Sequence, residues 1–283
     1  MQHKPAHANE YSPAAFELVK QTSLYIATKL GDLNDEIVIV GGLVPSLIIP
    51  QAGPEQAASS HIGTMDVDLG LTVAILDDER YAELSERLSS AGFEPDQNKE
   101  GKATNQRWSI EENGQKVSVD FLIPPTKDDD KGGKLRNLEN NFAAIITPGL
   151  ELAFEDRRKV TLEGKTIRNE TASRDLWVCE AGAFTVLKAL AFRGRGENKD
   201  AYDLIYVLQN YGEGIGSVFE RLEPLLQKDA TQSALKILDE DFTNIDSVGA
   251  KRMAEFLGDP ENEGIRADAS GLVSGLLRLA KSE

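Results

Sequence analysis

Apolar residues first take up a helical spacing behind a loose polar stretch at residues 1–11. Phe16, Val19, Leu24, Ile26 and Leu30 follow Ser12-Pro13, a capping serine with a proline at the first helical position, and Gly31 stops the pattern. A short β-rich run over 36–40 ends in Gly41-Gly42. Residues 43–49 predict a short helix despite Pro45, and the small, polar stretch 51–63 predicts a loop. The rhythm then changes to alternation. A strand over 66–75 puts Val67, Leu69 and Leu71 on one face and Asp66 and Asp68 on the other. Helical spacing returns over 77–91 at Tyr81, Leu84 and Leu88, and Gly92 ends it. Two β-type runs, 106–110 and 116–123, are joined by Glu111-Glu112-Asn113-Gly114, where Asn-Gly predicts a hairpin. In the second run Val117, Val119 and Phe121 share one face, and Ser118, Asp120 and Leu122 share the other.

Residues 124–141 are charged and Gly-rich and predict a surface loop; 143–146 and 159–167 predict strands, the latter bent at Glu163-Gly164. Beyond Ser173 every pattern is helical. The helix over 180–193 presents Ala183, Phe184, Leu187, Leu190 and Ala191, and that over 199–209 presents Leu204, Ile205 and Leu208. Helices over 217–226, 232–238, 247–257 and 269–279 follow, without an internal repeat. The expected organisation is an α/β domain with a mixed β-sheet core over 1–172 and a helical domain over 173–283.

Composition narrows the classes. The chain has 283 residues, 40% of them hydrophobic, enough for a sizeable core. Its net charge of −16 argues against binding nucleic acid or membrane through the whole surface. A single cysteine, Cys179, excludes a disulfide framework and a cysteine-rich zinc site. No apolar run reaches the ~20 residues of a membrane span, and the first residues lack the apolar core of a signal peptide. The expected setting is cytoplasmic, without membrane partners.

Asp66-Val67-Asp68 carries the first candidate chemistry. Two carboxylates on one strand face repel unless a cation or proton lies between them, and such oxygens suit Mg²⁺. A Gly-Gly turn exposes backbone N–H groups that can hold phosphate. Asp120 on a β-type run is less ordinary, because Asp is depleted in strands, and an ionised Asp120 among apolar neighbours needs a partner. A metal shared with Asp66 and Asp68 would supply one. Each piece also has a bland reading: a solvated strand start, a plain turn, or for Lys188 a lysine whose stem reaches to water. Asp200 and Asp203 share a face near the start of the helix over 199–209, where the dipole is a sufficient bland reason for Asp200. His3 and His7 sit in the tail, and His61 is a candidate minor substrate contact. No Ser-His-Asp arrangement is readable. Lys131, Lys134 and Arg136, and the run Arg157-Arg158-Lys159, are local basic clusters interleaved with acids.

The set of Val40-Gly41-Gly42, Asp66-Val67-Asp68 and Asp120 resembles the nucleotidyltransferase superfamily, the fold of polymerase β-type enzymes. The stretch from Lys188 to Arg193, followed by Lys199-Asp200-Ala201-Tyr202-Asp203-Leu204, resembles its abortive-infection AbiEii-type branch. The resemblance covers residues 36–210. Gly42 and Asp66 are separated by 23 residues, longer than the family's usual spacing, which an insertion around 51–60 accounts for.

The resemblance implies a nucleotidyltransferase-like α/β core with a helical C-terminal domain. It implies transfer of a nucleoside monophosphate from an NTP, with Asp66 and Asp68 binding two Mg²⁺ ions and Asp120 completing the metal site or taking the acceptor's proton. Gly41 and Gly42 would approach the triphosphate, Lys188 would neutralise it with Arg193 nearby, and Asp200 or Asp203 would orient Lys188 or the base. It also implies a toxin of a toxin–antitoxin pair, with a tRNA end as acceptor and a cognate antitoxin as partner. Two other readings stand beside it: a small-molecule nucleotidyltransferase of the aminoglycoside type, whose cationic acceptor suits an acidic protein, and a non-catalytic binding module on the same fold.

Overall fold

The computed structural model describes residues 5–50, 60–72, 78–98 and 100–282. The fold is mixed α/β and divides into two compact units. One is built from residues 13–43 and 63–179, the other from residues 5–12, 44–50, 60–62 and 180–282. The composition shift at Ser173 thus falls inside a strand of the first unit. A short stretch before Asp66 belongs with the helices.

The first unit carries all the described strands. In chain order they are β1 (Ile37–Val40), β2 (Asp66–Leu71), β3 (Glu94–Gln97), β4 (Ala103–Glu112), β5 (Gln115–Ile123), β6 (Leu135–Glu139), β7 (Phe142–Ile146), β8 (Arg157–Lys165) and β9 (Thr171–Cys179). They form one mixed sheet in the order β3-β4-β5-β2-β1-β9-β8, with β7 pairing the end of β5 and β6 pairing β7. β1 runs antiparallel to β2, and β2 runs parallel to β5. Helix α1 (Pro13–Leu30) packs against β8 and β9 and against α3 (Asp78–Ser90).

Alternation explains the core. Val67, Leu69, Val119 and Phe121 are all buried, while Asp66 and Asp68 between them are half-exposed. Phe121 meets Phe142 at 4.7 Å between ring centroids, and Trp108 lies edge-on to Phe142 at 5.9 Å. The β4–β5 turn is the Asn-Gly hairpin expected from the sequence. Asn113 and Gly114 both have positive φ, 52° and 75°, as this turn requires.

Three strands run where the sequence predicts none. β6 lies inside the stretch 124–141 expected to be a loop; its Leu135 is exposed, and the strand is held by backbone pairing to β7 rather than by a buried face. β9 occupies the start of the stretch expected to be helical. Its first half is polar because it pairs only with β8, and only Leu176, Val178 and Cys179 are buried. β3 is four residues long, too short to show a period. The expected strand 66–75 is β2 as far as Leu71; its last three positions, most of the 51–63 loop with its insertion, and His3 lie outside the described residues.

The second unit is helical: α2 (Val44–Ile48), α5 (Ala181–Arg195), α6 (Asn198–Asn210), α7 (Ile215–Leu222), α8 (Asp229–Phe242), α9 (Val248–Phe256) and α10 (Glu263–Lys281), with α4 (Leu152–Glu155) in the first unit. α5 packs on α6, α7 and α8. Among the described residues, no helix is long and apolar enough to cross a membrane.

Truncating Phe121 to alanine should destabilise the α/β unit by about 3–5 kcal/mol, because a fully buried ring leaves a cavity. Both tryptophans lie in this unit, so urea unfolding followed by their fluorescence reads it directly. A loss below about 1 kcal/mol would contradict the packing described.

Candidate metal centre

Strand register brings the three aspartates together. Asp68 on β2 pairs with Asp120 on the parallel β5, and Asp66 pairs with Ser118. Paired residues point to the same side of a sheet, so the carboxylates converge on the face opposite Val67, Val119 and Phe121. One oxygen from each of Asp66, Asp68 and Asp120 lies within 4.8 Å of the others. That is close to the ~4 Å span of opposite ligands around one Mg²⁺. Hard oxygen donors, two of them on half-exposed side chains, suit this ion. Thr64 donates its hydroxyl to Asp66 Oδ1 at 3.0 Å.

Gly41 follows β1, whose Val40 pairs with Asp68. Its φ is +71°, and a Cβ built there would lie 1.9 Å from Asp68 Oδ2. Only glycine fits, because the backbone takes a left-handed turn directly under the carboxylate. Gly42 follows it, buried in the same turn.

The partner that a buried Asp120 needs is Arg107, which the sequence reading missed. Arg107 pairs with Asp120 across the β4–β5 hairpin. Its Nε donates to Oδ1 at 2.6 Å and its Nη2 donates to Oδ2, a two-pronged contact. Asp120, and then Asp66 and Asp68, hold the guanidinium above its usual range against the opposing effect of burial. The hairpin turn is the signal that could have found this pair. Counting back from Asn113-Gly114 sets Glu112 opposite Gln115 and Arg107 opposite Asp120.

The polar face continues outward from the aspartates. Arg107 and Asp120 line a cleft of about 320 Å³ with Asp96, Thr104 and Gln106. A second cleft of about 590 Å³ runs along the same strands past Glu94, Asp96, Ser109, Glu111, Lys116 and Ser118. Lys116 is tied to Asp96.

In the helical unit, the second group of candidate residues forms a buried charge network. Lys188 is 5% exposed. Its Nζ donates to Asp200 Oδ1 at 3.0 Å and to Asp203 Oδ2 at 2.7 Å. It therefore does not reach to water, and both acids orient it. Burial opposes its charge, but Asp203 and Asp200 overcome that and hold its pKa above the ordinary value. Arg195 grips Asp200 with Nε and Nη2, both at 2.7 Å. Burial disfavours the Asp200 carboxylate, yet Lys188 and Arg195 pull its pKa down to about 2. Lys199 donates to Asp203 Oδ1 at 2.6 Å. Arg193, expected near the nucleotide, is exposed and pairs with Asp241 and Glu240 on α8.

A Ser-His-Asp chain exists here after all. Ser46 Oγ lies 3.1 Å from His61 Nδ1, and His61 Nε2 lies 2.9 Å from Asp203 Oδ1. It was invisible in sequence because Ser46 and His61 are 142 or more residues from Asp203. Its chemistry is not that of a nucleophile and base. Burial first, then the charges of Lys199 and Lys188, outweigh Asp203 and lower His61 to about 4. An imidazole that resists a proton near neutrality is a poor general base. Instead it is a tether: the Tyr202 hydroxyl also accepts from Ile62 N at 3.1 Å, and the Tyr202 ring stacks on His61.

Three members of the basic clusters have acidic or aromatic partners. Arg136 is held by Asp130, Arg157 lies 4.2 Å over the Trp177 ring, and Lys159 pairs with Asp35. The chain matches no model of a known protein family and no curated protein, so the nucleotidyltransferase resemblance rests on these residues alone.

His61 gives the network a pH signature. Its ordinary pKa is 6.5 and its folded value about 4. As pH falls between these values the unfolded chain takes up a proton that the folded chain refuses, so stability is lost, by up to about 3 kcal/mol. Above about pH 6.5 this contribution is constant; Asp200 adds a further loss only as pH falls below its ordinary 3.8 toward about 2. Amide exchange in α5 and α6 should show protection falling from pH 6.5 to 4, and His61→Gln should flatten that slope. Equal slopes in the two proteins would contradict the assignment.

Proposed function

We propose that this protein is a Mg²⁺-dependent nucleotidyltransferase that moves a nucleoside monophosphate from an NTP to a hydroxyl-bearing acceptor. The observation that supports it best is the convergence of Asp66, Asp68 and Asp120 within 4.8 Å on adjacent parallel strands. Asp66 and Asp68 would hold the ion, with Asp120 as third ligand. Arg107 occupies one lone-pair site on each Asp120 oxygen. An ionised carboxylate has about four such sites, so acceptor capacity remains. When bound, the ion would polarise the phosphate and stabilise the charge that builds on the leaving oxygen. The acceptor oxygen bonds to the α-phosphorus as the bond to the bridging oxygen breaks. Pyrophosphate leaves, and the acceptor's proton passes to a carboxylate of the trio or to water.

Among acceptors, a small cationic molecule is favoured over a tRNA end. The clefts beside Asp120 carry Glu94, Asp96 and Glu111. Four of the cations that could lead a polyanion in, Arg136, Lys159, Arg193 and Arg195, carry an acidic partner. Phosphate contacts dominate nucleic-acid affinity, and committed cations contribute less to it. A toxin role with an antitoxin partner follows only from the resemblance. The Arg107–Asp120 pair favours a second reading, a binding module without turnover, because it gives Asp120 a counter-ion without a metal.

The test is incubation with each [α-³²P]NTP, Mg²⁺ and either an aminoglycoside or total tRNA, following labelled acceptor and released pyrophosphate. The aminoglycoside should be labelled. Asp68→Asn should lower the rate by at least about 100-fold, the scale for losing a group that stabilises developing charge, with an unchanged circular dichroism spectrum. Near-wild-type labelling by this variant would contradict the proposal, and NTP binding without pyrophosphate release would decide for the binding module.

A further inference from the structure

The three carboxylates formally carry three negative charges, and Arg107 brings a positive charge to Asp120. Arg107 reaches it from β4, the neighbour of β5, and its side chain is mostly buried, 19% exposed. It grips Asp120 through both carboxylate oxygens. A planar guanidinium in this contact fixes the plane of the carboxylate as well as balancing its charge, which a lysine ammonium cannot do.

We infer that Arg107 is a positioning residue and internal counter-ion of the acidic cluster: it presets Asp120 and lowers the affinity of the site for a divalent cation, keeping that affinity moderate. The inference rests on reading Asp66, Asp68 and Asp120 as metal ligands. Its physical basis is ordinary. Asp120 sits on the buried side of the cluster, 5% exposed, where an uncompensated carboxylate would be costly. Arg107 removes that cost in the absence of metal. The same positive charge repels an incoming cation and shares Asp120's oxygens with it. Arg107 therefore makes the empty cluster stable and the filled cluster exchangeable. Glycine at position 41 and Arg107 divide the work: one leaves room for Asp68, the other holds Asp120 in place.

Mn²⁺ binding, followed by electron paramagnetic resonance of the free ion, reads this without any turnover. Arg107→Gln should bind Mn²⁺ at least about tenfold more tightly than wild type, since one unit charge a few Å away has been removed. Arg107→Lys keeps the charge but not the two-pronged grip, and should fall between wild type and Arg107→Gln. A role confined to folding would not tighten metal binding. Because Arg107→Gln strands a buried carboxylate at a cost to folding, a second pair carries the same test. Asp120→Asn removes the ligand charge and leaves Arg107 unopposed, and Asp120→Asn with Arg107→Gln strands no charge. The double variant should bind Mn²⁺ at least about tenfold more tightly than Asp120→Asn alone. Equal or weaker binding on removal of Arg107, in either pair, overturns the inference while leaving the nucleotidyl-transfer reading standing. Tighter binding in a protein that transfers no nucleotide upholds the inference and sinks that reading. Failure of every variant and of wild type to bind Mn²⁺ overturns both.

Discussion

Three carboxylates held within 4.8 Å of one another repel, and the strand register gives them no way apart. The arrangement of the polar face answers that repulsion. Val67, Val119 and Phe121 anchor β2 and β5 from the opposite side, so neither strand can slip without turning its apolar residues outward. Gly41 supplies a backbone with no Cβ beneath Asp68. Arg107 supplies a counter-charge to Asp120 from the next strand. Carboxylate oxygens gathered so closely on one face are the chemical argument for a divalent cation.

The helical unit meets a similar problem with a different result. Lys188, Lys199 and Arg195 face Asp200 and Asp203 in a mostly buried group, and His61 is added in its neutral form. Here cations surround Asp200 and Asp203, and both acids are held ionised below their usual range. Such a network costs much to break one member at a time. It fixes the geometry of α5 against α6 and pins residues 60–62 to α6. Its Ser-His-Asp geometry shows that distance alone does not make a nucleophile; the electrostatic surroundings of the histidine decide.

Where apolar residues alternated or recurred at helical spacing, the elements could be read from the chain, as for β2, β5, α5 and α6. β6 and the first half of β9 could not, because they are held by pairing to a neighbour strand and bury little. Asp66, Asp68 and Asp120 were legible as chemistry because carboxylates on strands need an explanation. Arg107 was legible in principle, by counting along the hairpin, but nothing in its own surroundings marks it. Ser46 and His61 were not legible, because their partner comes from a helix far along the chain. The roles expected of Lys188 and Arg193 came from resemblance; the contacts seen for both are ion pairs within their own unit.

Everything proposed here depends on the aspartate trio holding a metal ion. Crystals of the protein soaked in Mn²⁺ with a non-hydrolysable NTP analogue, measured for anomalous scattering, test it most directly. A peak is expected about 2.0–2.3 Å from oxygens of both Asp66 and Asp68, the coordination range of small divalent cations, with Asp120 still gripped by Arg107. Ordered analogue with no anomalous density at these carboxylates, or a peak elsewhere in the molecule, would contradict it.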